Sequence, residues 1–91
     1  MSFDRKILKE LYPDIEIVIL EPSYLDEAII GISHDDRLIY DYEKLIKAFM
    51  KGDKITEEEA IEWIDYNTLR SLPYMGSNAP IIMNHILEYM E

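Results

Sequence analysis

The chain lacks cysteine and is poor in glycine, proline and cationic residues. Without cysteine it forms no disulfide, offers no thiolate to zinc and has no cysteine nucleophile. A small domain without disulfides is typical of a reducing compartment, so we expect a cytoplasmic protein. With only three glycines and no GxGxxG or GxxxxGK[ST] motif, a phosphate-cradling loop is excluded.

Long apolar runs are also missing. No window approaches the roughly 20 apolar residues that cross a bilayer, and the N-terminal residues contain no run of signal-peptide length. We therefore expect no membrane association and no targeting segment. The apolar fraction of 48% is above that of disordered segments and predicts one folded domain over residues 1–91.

Acids outnumber cations by 19 to nine, which gives a net charge of −10. Residues 12–36 contain seven acids and no lysine or arginine. Such a surface repels phosphate backbones, so we expect no direct binding of nucleic acid. It favours a protein partner with a basic surface. The alternative is that the charge serves only to keep the domain soluble.

The apolar patterns predict an α+β fold, a small antiparallel sheet of about three strands with three to four helices packed on it. His34-Asp35-Asp36 is the predicted hairpin turn. Gly31 inside a strand indicates a bulge or a close backbone approach, with packing as the default reason. The elements are a helix over 3–11, strands over 15–20, 28–33 and 37–40, helices over 42–50 and 56–72, and a helix rather than a strand over 81–90.

Helix termini are marked by capping residues. Asp41 is a predicted N-cap, and Gly52 fits the left-handed position after the same helix. Thr56 followed by Glu59 forms a capping box at the start of the next helix. The apolar stripe of that second helix predicts its buried face: Ile61, Ile64, Thr68 and Leu72.

The polar face of the Thr56 helix carries the candidate binding residues. Asn67, Arg70 and Tyr74 have i, i+3, i+7 spacing, which places them on one side of a continuing helix. An amide, a guanidinium and a phenol together suit a carboxylate, a phosphate or a peptide backbone. The alternative is that Arg70 pairs with an acid of its own domain. The full set of candidates is Arg70, Asn67, Tyr74, Tyr66, Glu58, Glu62 and Asp65.

No residues match a catalytic or metal-binding motif. His34 and His85 lie outside HExxH and HxH patterns, and no cysteine completes a zinc site. His85 falls on an apolar stripe, so we expect it in the core. Trp63 lies at the border of a buried face and is also expected in the core, with an interface role as the second option. We therefore predict no catalytic residues, no metal and no cofactor.

Several short motifs between residues 28 and 83 resemble a known group of proteins. They are Tyr40-Asp41-Tyr42, Tyr66-Asn67-Thr68, Arg70, and Leu72-Pro73-Tyr74 with a following Pro-Ile-Ile, and Asp65 replaces a more usual glutamate. The chain is similar here to small acidic proteins encoded by phages and prophages of low-GC Gram-positive bacteria. The resemblance implies a viral or mobile-element setting, and the host cytoplasm if the protein is encoded by a phage. It brings no established activity and no catalytic residue.

Three function classes follow from the sequence. The leading hypothesis is a non-enzymatic acidic interaction protein, a phage-encoded modulator or inhibitor of a host defence protein. The alternative is a small ligand- or anion-binding regulatory domain that uses Asn67, Arg70 and Tyr74. A hydrolase or nuclease with a carboxylate-bound metal has the least support. The sequence leaves the oligomeric state open, and a homodimer is compatible with it.

Overall fold

The computed structural model describes residues 4–86 and arranges them as an α+β fold around a three-stranded sheet. The predicted fold class is confirmed. The elements in chain order are α1 (Arg5–Leu11), a 3₁₀ helix (Ser23–Ala28), β1 (Ile29–Ile32), β2 (Leu38–Asp41), α2 (Tyr42–Asp53), α3 (Glu57–Trp63), a π-helical segment (Ile64–Leu69), a short 3₁₀ turn (Leu72–Tyr74) and β3 (Ile81–Met83).

β1 and β2 form the predicted antiparallel hairpin. Its turn is closed by the Ser33 N–H, which donates to the Arg37 carbonyl at 2.7 Å, while Asp36 adopts φ 64°. The register shifts between Ile29 and Gly31, and a Cβ on Gly31 would meet no atom of residues 4–86 within 4 Å. Of the two alternatives for Gly31, these observations agree with the bulge and not with a close backbone approach. The bulge adds one residue to β1, as this irregularity generally does.

The third strand is not the one that the sequence predicted. Residues 15–20 are not part of the sheet, whereas Ile81–Met83, expected to be helical, pairs with β2 as β3. β3 runs parallel to β2, so the sheet is mixed rather than wholly antiparallel. The backbone N–H of Leu20 donates instead to the buried Tyr40 hydroxyl at 2.9 Å. The part of the predicted 81–90 helix beyond Ile86 lies outside the described residues.

The core lies between the sheet and the helices. α2 makes its most extensive contact with the 3₁₀ helix Ser23–Ala28 and also packs on α3. No helix within residues 4–86 combines the length and apolarity needed to cross a membrane. The core consists of Leu8, Leu20, Leu25, Ala28, Leu38, Tyr40, Leu45, Ile46, Ala48, Phe49, Ala60 and Ile64.

The end of α2 differs from the prediction at Gly52. Lys54, not Gly52, holds the left-handed position at φ 54°. Gly52 is inside α2, where a Cβ would lie only 2.6 Å from ring carbons of Tyr24. The glycine is therefore needed for the close approach of the tyrosine ring and not for a backbone turn.

Asp41 joins three parts of the fold. It is the predicted N-cap of α2, since its Oδ1 accepts the Lys44 N–H at 3.1 Å. Its Oδ2 contacts Nε2 of His85 at 2.5 Å. His85 is therefore a half-exposed partner of Asp41 and not the core residue predicted. Burial disfavours the charge of Asp41, but the bonds from His85 and from the Lys44 N–H hold its pKa below the usual value.

We expect Asp41 to contribute to acid stability. Its folded pKa is lowered, so its contribution is complete above the unfolded pKa of about 3.9 and is lost as pH falls through the folded value. Asp41→Asn should flatten the fall in unfolding free energy below about pH 4. The exposed Asp14→Asn is the control. Equal acid profiles for both variants, measured by urea denaturation at each pH, would contradict this role.

The predicted capping box of α3 is present. The Glu59 N–H donates to Thr56 Oγ1 at 3.2 Å, and the Thr56 N–H donates to Glu59 Oε1 at 3.1 Å. We expect Thr56→Ala to lower the free energy of unfolding by about 1 kcal/mol. Thr56→Ser keeps the hydroxyl and should restore most of that loss. A denaturation midpoint that is the same for alanine and wild type would contradict the prediction.

Candidate binding site

The candidate residues lie where α3 changes its hydrogen-bond pattern. From Ile64 to Leu69 the chain is π-helical, so its backbone bonds span five residues instead of four. The i, i+3, i+7 spacing predicted Asn67, Arg70 and Tyr74 on one side of a regular α-helix. The π-helical segment has a different number of residues per turn, so this spacing does not place them on one side here. π-helical turns are rare and are frequently found at functional sites.

Arg70 contacts an aromatic ring. Its guanidinium carbon lies 4.6 Å from the centre of the Tyr66 ring, within the range of a cation–π interaction. Within residues 4–86 no carboxylate approaches Arg70 to ion-pair distance. The role of intradomain clamp that the sequence suggested for Arg70 is therefore not seen in this part of the chain.

Arg5 has that clamping role instead. Its Nε donates to Asp26 at 2.7 Å and its Nη1 to Glu21 at 2.9 Å. These contacts raise the pKa of Arg5 above its already high value, mainly through Asp26. Arg5 thereby fastens α1 to the 3₁₀ helix that packs on α2.

Asn67, Arg70 and Tyr74 have different surroundings among the residues that the structure describes. The amide nitrogen of Asn67 donates to the Trp63 carbonyl at 3.2 Å, so this side chain folds back on its own helix. The Tyr74 side chain is 89% exposed. Asn67 lines a groove described next, but Arg70 and Tyr74 do not. The geometry of these three residues does not favour the anion-binding alternative.

A groove of about 410 Å³ lies between the end of α2 and the outer face of α3. Apolar side chains and carboxylates share its lining. No lysine or arginine of residues 4–86 lines it. The lining residues are Asp53, Ile55, Glu59, Glu62, Trp63, Tyr66 and Asn67. We call this surface the Trp63 groove.

Trp63 is only partly in the core. Its ring centre lies 6.5 Å from that of Phe49, at an interplanar angle of 54°, yet the residue is 52% exposed. The predicted core position of Trp63 is therefore wrong, and its ring lies at the edge of the core against Phe49. Tyr66 in the same groove is 63% exposed. Two large aromatic residues thus present surface to solvent beside carboxylates.

The carboxylates of the Trp63 groove differ in how they are held. Asp53 accepts the Tyr24 hydroxyl at 2.6 Å, and Glu59 accepts the Thr56 N–H in the capping box. Burial, with Asp53 as a further cause, raises the pKa of Tyr24 to about 12. Glu62 has no ion-pair or hydrogen-bond partner in the stretch from residue 4 to residue 86. The groove therefore suits a cation with an apolar or planar body.

The other two candidate acids lie outside this groove. Glu58 is exposed on α3. Asp65 accepts the Tyr42 hydroxyl at 3.2 Å, which connects the π-helical segment to the first residue of α2. Of the predicted acids, only Glu62 shares the groove with Tyr66 and Asn67.

The described residues offer no cluster of side chains for a metal ion. No group of three or more histidine or acidic side chains there has an arrangement that could hold a metal ion. His34, Asp35 and Asp36 lie in the hairpin turn, where Asp35 accepts the Ser33 hydroxyl. The turn interpretation of this aspartate pair agrees with that contact.

Four residues of the groove were not among the sequence-based candidates. Asp53 is the last residue of α2 and Ile55 lies in the connection to α3, and only the tertiary fold brings them to the groove. Glu59 was recognised only as a capping residue. The sequence signal for Trp63 was its position directly after Glu62 in an acidic helix.

Comparisons of this chain with protein-family models, with curated proteins and with solved structures give no match.

Proposed function

We propose that this protein is a non-enzymatic interaction protein that binds a basic surface of another protein. The observation that carries the proposal is an acidic helical surface whose carboxylates form no ion pair within residues 4–86. Five acids lie on α3 and the π-helical segment and are exposed: Glu57, Glu58, Glu59, Glu62 and Asp65.

The ion pairs of the domain are made elsewhere. Those formed among residues 4–86 join Arg5 to Glu21 and Asp26, Arg37 to Asp35, Lys51 to Glu27, and His85 to Asp41. None involves an acid of α3 or of the π-helical segment. An uncompensated field of one sign steers the approach of a partner of opposite sign.

The proposed mode of action is occupation of a basic groove. Carboxylates spaced along a helix take the positions that phosphates of a nucleic acid would take, so that the partner loses its natural ligand. With the resemblance to phage proteins, this suggests a modulator or inhibitor of a host defence protein such as a nuclease. The chemistry needed is binding alone, without a catalytic residue or cofactor.

Retention of partners from a lysate of a low-GC Gram-positive host tests the proposal. Immobilised protein should retain a basic partner at about 0.05 M salt and release it at about 0.5 M, because screening weakens exposed charge pairs. Glu58→Gln/Glu62→Gln should reduce retention more than Glu10→Gln/Asp14→Asn, which removes the same charge outside α3. Retention of only acidic proteins, or retention that salt does not change, would overturn the proposal.

A further inference from the structure

We propose that the Trp63 groove binds an arginine side chain projecting from a basic segment of the partner. This inference rests on the proposed function and names the chemical group that the site takes. In the bound state the guanidinium stacks on Trp63 and its N–H groups meet the carboxylates of the groove.

The aromatic half of the site is already in place. Trp63 is supported by Phe49 on one side and remains 52% exposed. Tryptophan is the aromatic side chain that attracts cations most strongly. The same helical surface already holds one guanidinium over a ring, that of Arg70 over Tyr66 at 4.6 Å. Arg70 itself does not line the groove, so the Trp63 side remains available to a partner.

Two of the three carboxylates in the groove accept hydrogen bonds from uncharged donors. Tyr24 binds one oxygen of Asp53, and the Thr56 N–H binds one oxygen of Glu59. A carboxylate has two acceptor oxygens, so these bonds position each group without neutralising it. Glu62 has no partner within the described chain. Three carboxylates and no lining cation give the charge complementarity that a basic side chain requires.

Arginine fits this lining better than lysine. Its planar guanidinium stacks on an aromatic face and presents N–H groups in a fixed fork to carboxylates. It is also more weakly hydrated than an ammonium group, which favours its transfer into a partly apolar groove. Ile55 supplies an apolar contact beside the acids, where the methylene stem of the arginine packs.

Trp63 provides its own reporter, because it is the single tryptophan of the chain. Titration with a hexa-arginine peptide at low salt should change the Trp63 fluorescence until binding of the peptide saturates. Hexa-citrulline, which has nearly the same shape but no charge, should give no change. Hexa-lysine should bind more weakly than hexa-arginine, because it lacks the planar stack.

Matched variants locate the binding. Glu62→Gln should weaken hexa-arginine binding roughly two- to fivefold, whereas Glu10→Gln, which removes the same charge in α1, should change it by less than about twofold. Trp63→Leu, measured by calorimetry, should weaken binding roughly tenfold. The leucine keeps an apolar contact to Phe49, and a thermal melt establishes that each variant is folded at the temperature of titration.

The results separate this inference from the proposed function. Selective losses at Glu62 and Trp63, with a preference for arginine, support the groove. Equal losses for Glu62→Gln and Glu10→Gln, or equal binding of hexa-lysine, mean diffuse charge attraction; they overturn the groove and leave the proposed function standing. No binding of either basic peptide at low salt overturns both.

Discussion

Tyr40→Phe should lower the free energy of unfolding by about 1–3 kcal/mol, the usual effect of leaving a buried polar group without its partner. Tyr40 is 0% exposed, and its hydroxyl accepts the buried N–H of Leu20 at 2.9 Å. Phenylalanine keeps the ring but removes the acceptor. Because residues 16–20 have no strand partner, no sheet bond replaces the lost one, and we expect this segment to loosen first.

Urea denaturation measures the loss, with Tyr66→Phe as the control. Tyr66 is 63% exposed, so removing its hydroxyl should change stability by no more than about 0.5 kcal/mol. Burial also raises the pKa of Tyr40 to about 12. The contribution of Tyr40 to stability is therefore complete below the unfolded pKa of about 10 and is lost as pH rises toward the folded pKa of about 12. Equal midpoints for the two variants would show that the Leu20–Tyr40 bond contributes nothing.

Local signals in the sequence predicted local structure well. The capping box of Thr56 and Glu59, the N-cap Asp41 and the turn after Ser33 each depend on residues within four positions of one another. All three are present in the structure. Each of these hydrogen bonds forms between near neighbours in the chain and needs no distant contact. The sequence alone is therefore enough to predict them.

The identity of the third strand depends on distant contacts. Residues 15–20 have the β-branched composition of a strand, but β3 (Ile81–Met83) takes the place beside β2. Arg37 donates through Nε to the Ala79 carbonyl at 2.7 Å, which fixes the start of β3 next to the hairpin. Strand propensity reflects packing context more than backbone preference, so the pattern alone does not choose between the two segments.

The sequence predicted some residues of the Trp63 groove but not which residues share it. Glu62, Tyr66 and Asn67 were candidate binding residues, and they line the groove together. The π-helical segment changed the spacing on which the Asn67–Arg70–Tyr74 set relied. Asp53 reaches the groove because Lys54 adopts the left-handed conformation between α2 and α3, a turn that the sequence had placed at Gly52.

Gly52→Ala should destabilise the domain by about 1–3 kcal/mol, the usual cost of overpacking, although alanine favours a helix by about 1 kcal/mol over glycine. The added Cβ would lie 2.6 Å from the Tyr24 ring. That ring meets Phe49 edge-on at a centroid distance of 6.1 Å, and its hydroxyl is bound to Asp53. Because the ring is held at both ends, it cannot move aside without losing one of these contacts.

A Tyr24→Ala background separates the steric effect from helix propensity. With the ring removed, Gly52→Ala should stabilise the protein by about 0.5–1 kcal/mol, since only the propensity gain remains. The sign of the effect therefore reverses between the two backgrounds, which urea denaturation resolves. A change of the same sign and size in both would mean that the Tyr24 ring does not require glycine here. Because Tyr24 also positions Asp53, Gly52→Ala should weaken arginine-peptide binding in the otherwise wild-type chain as well.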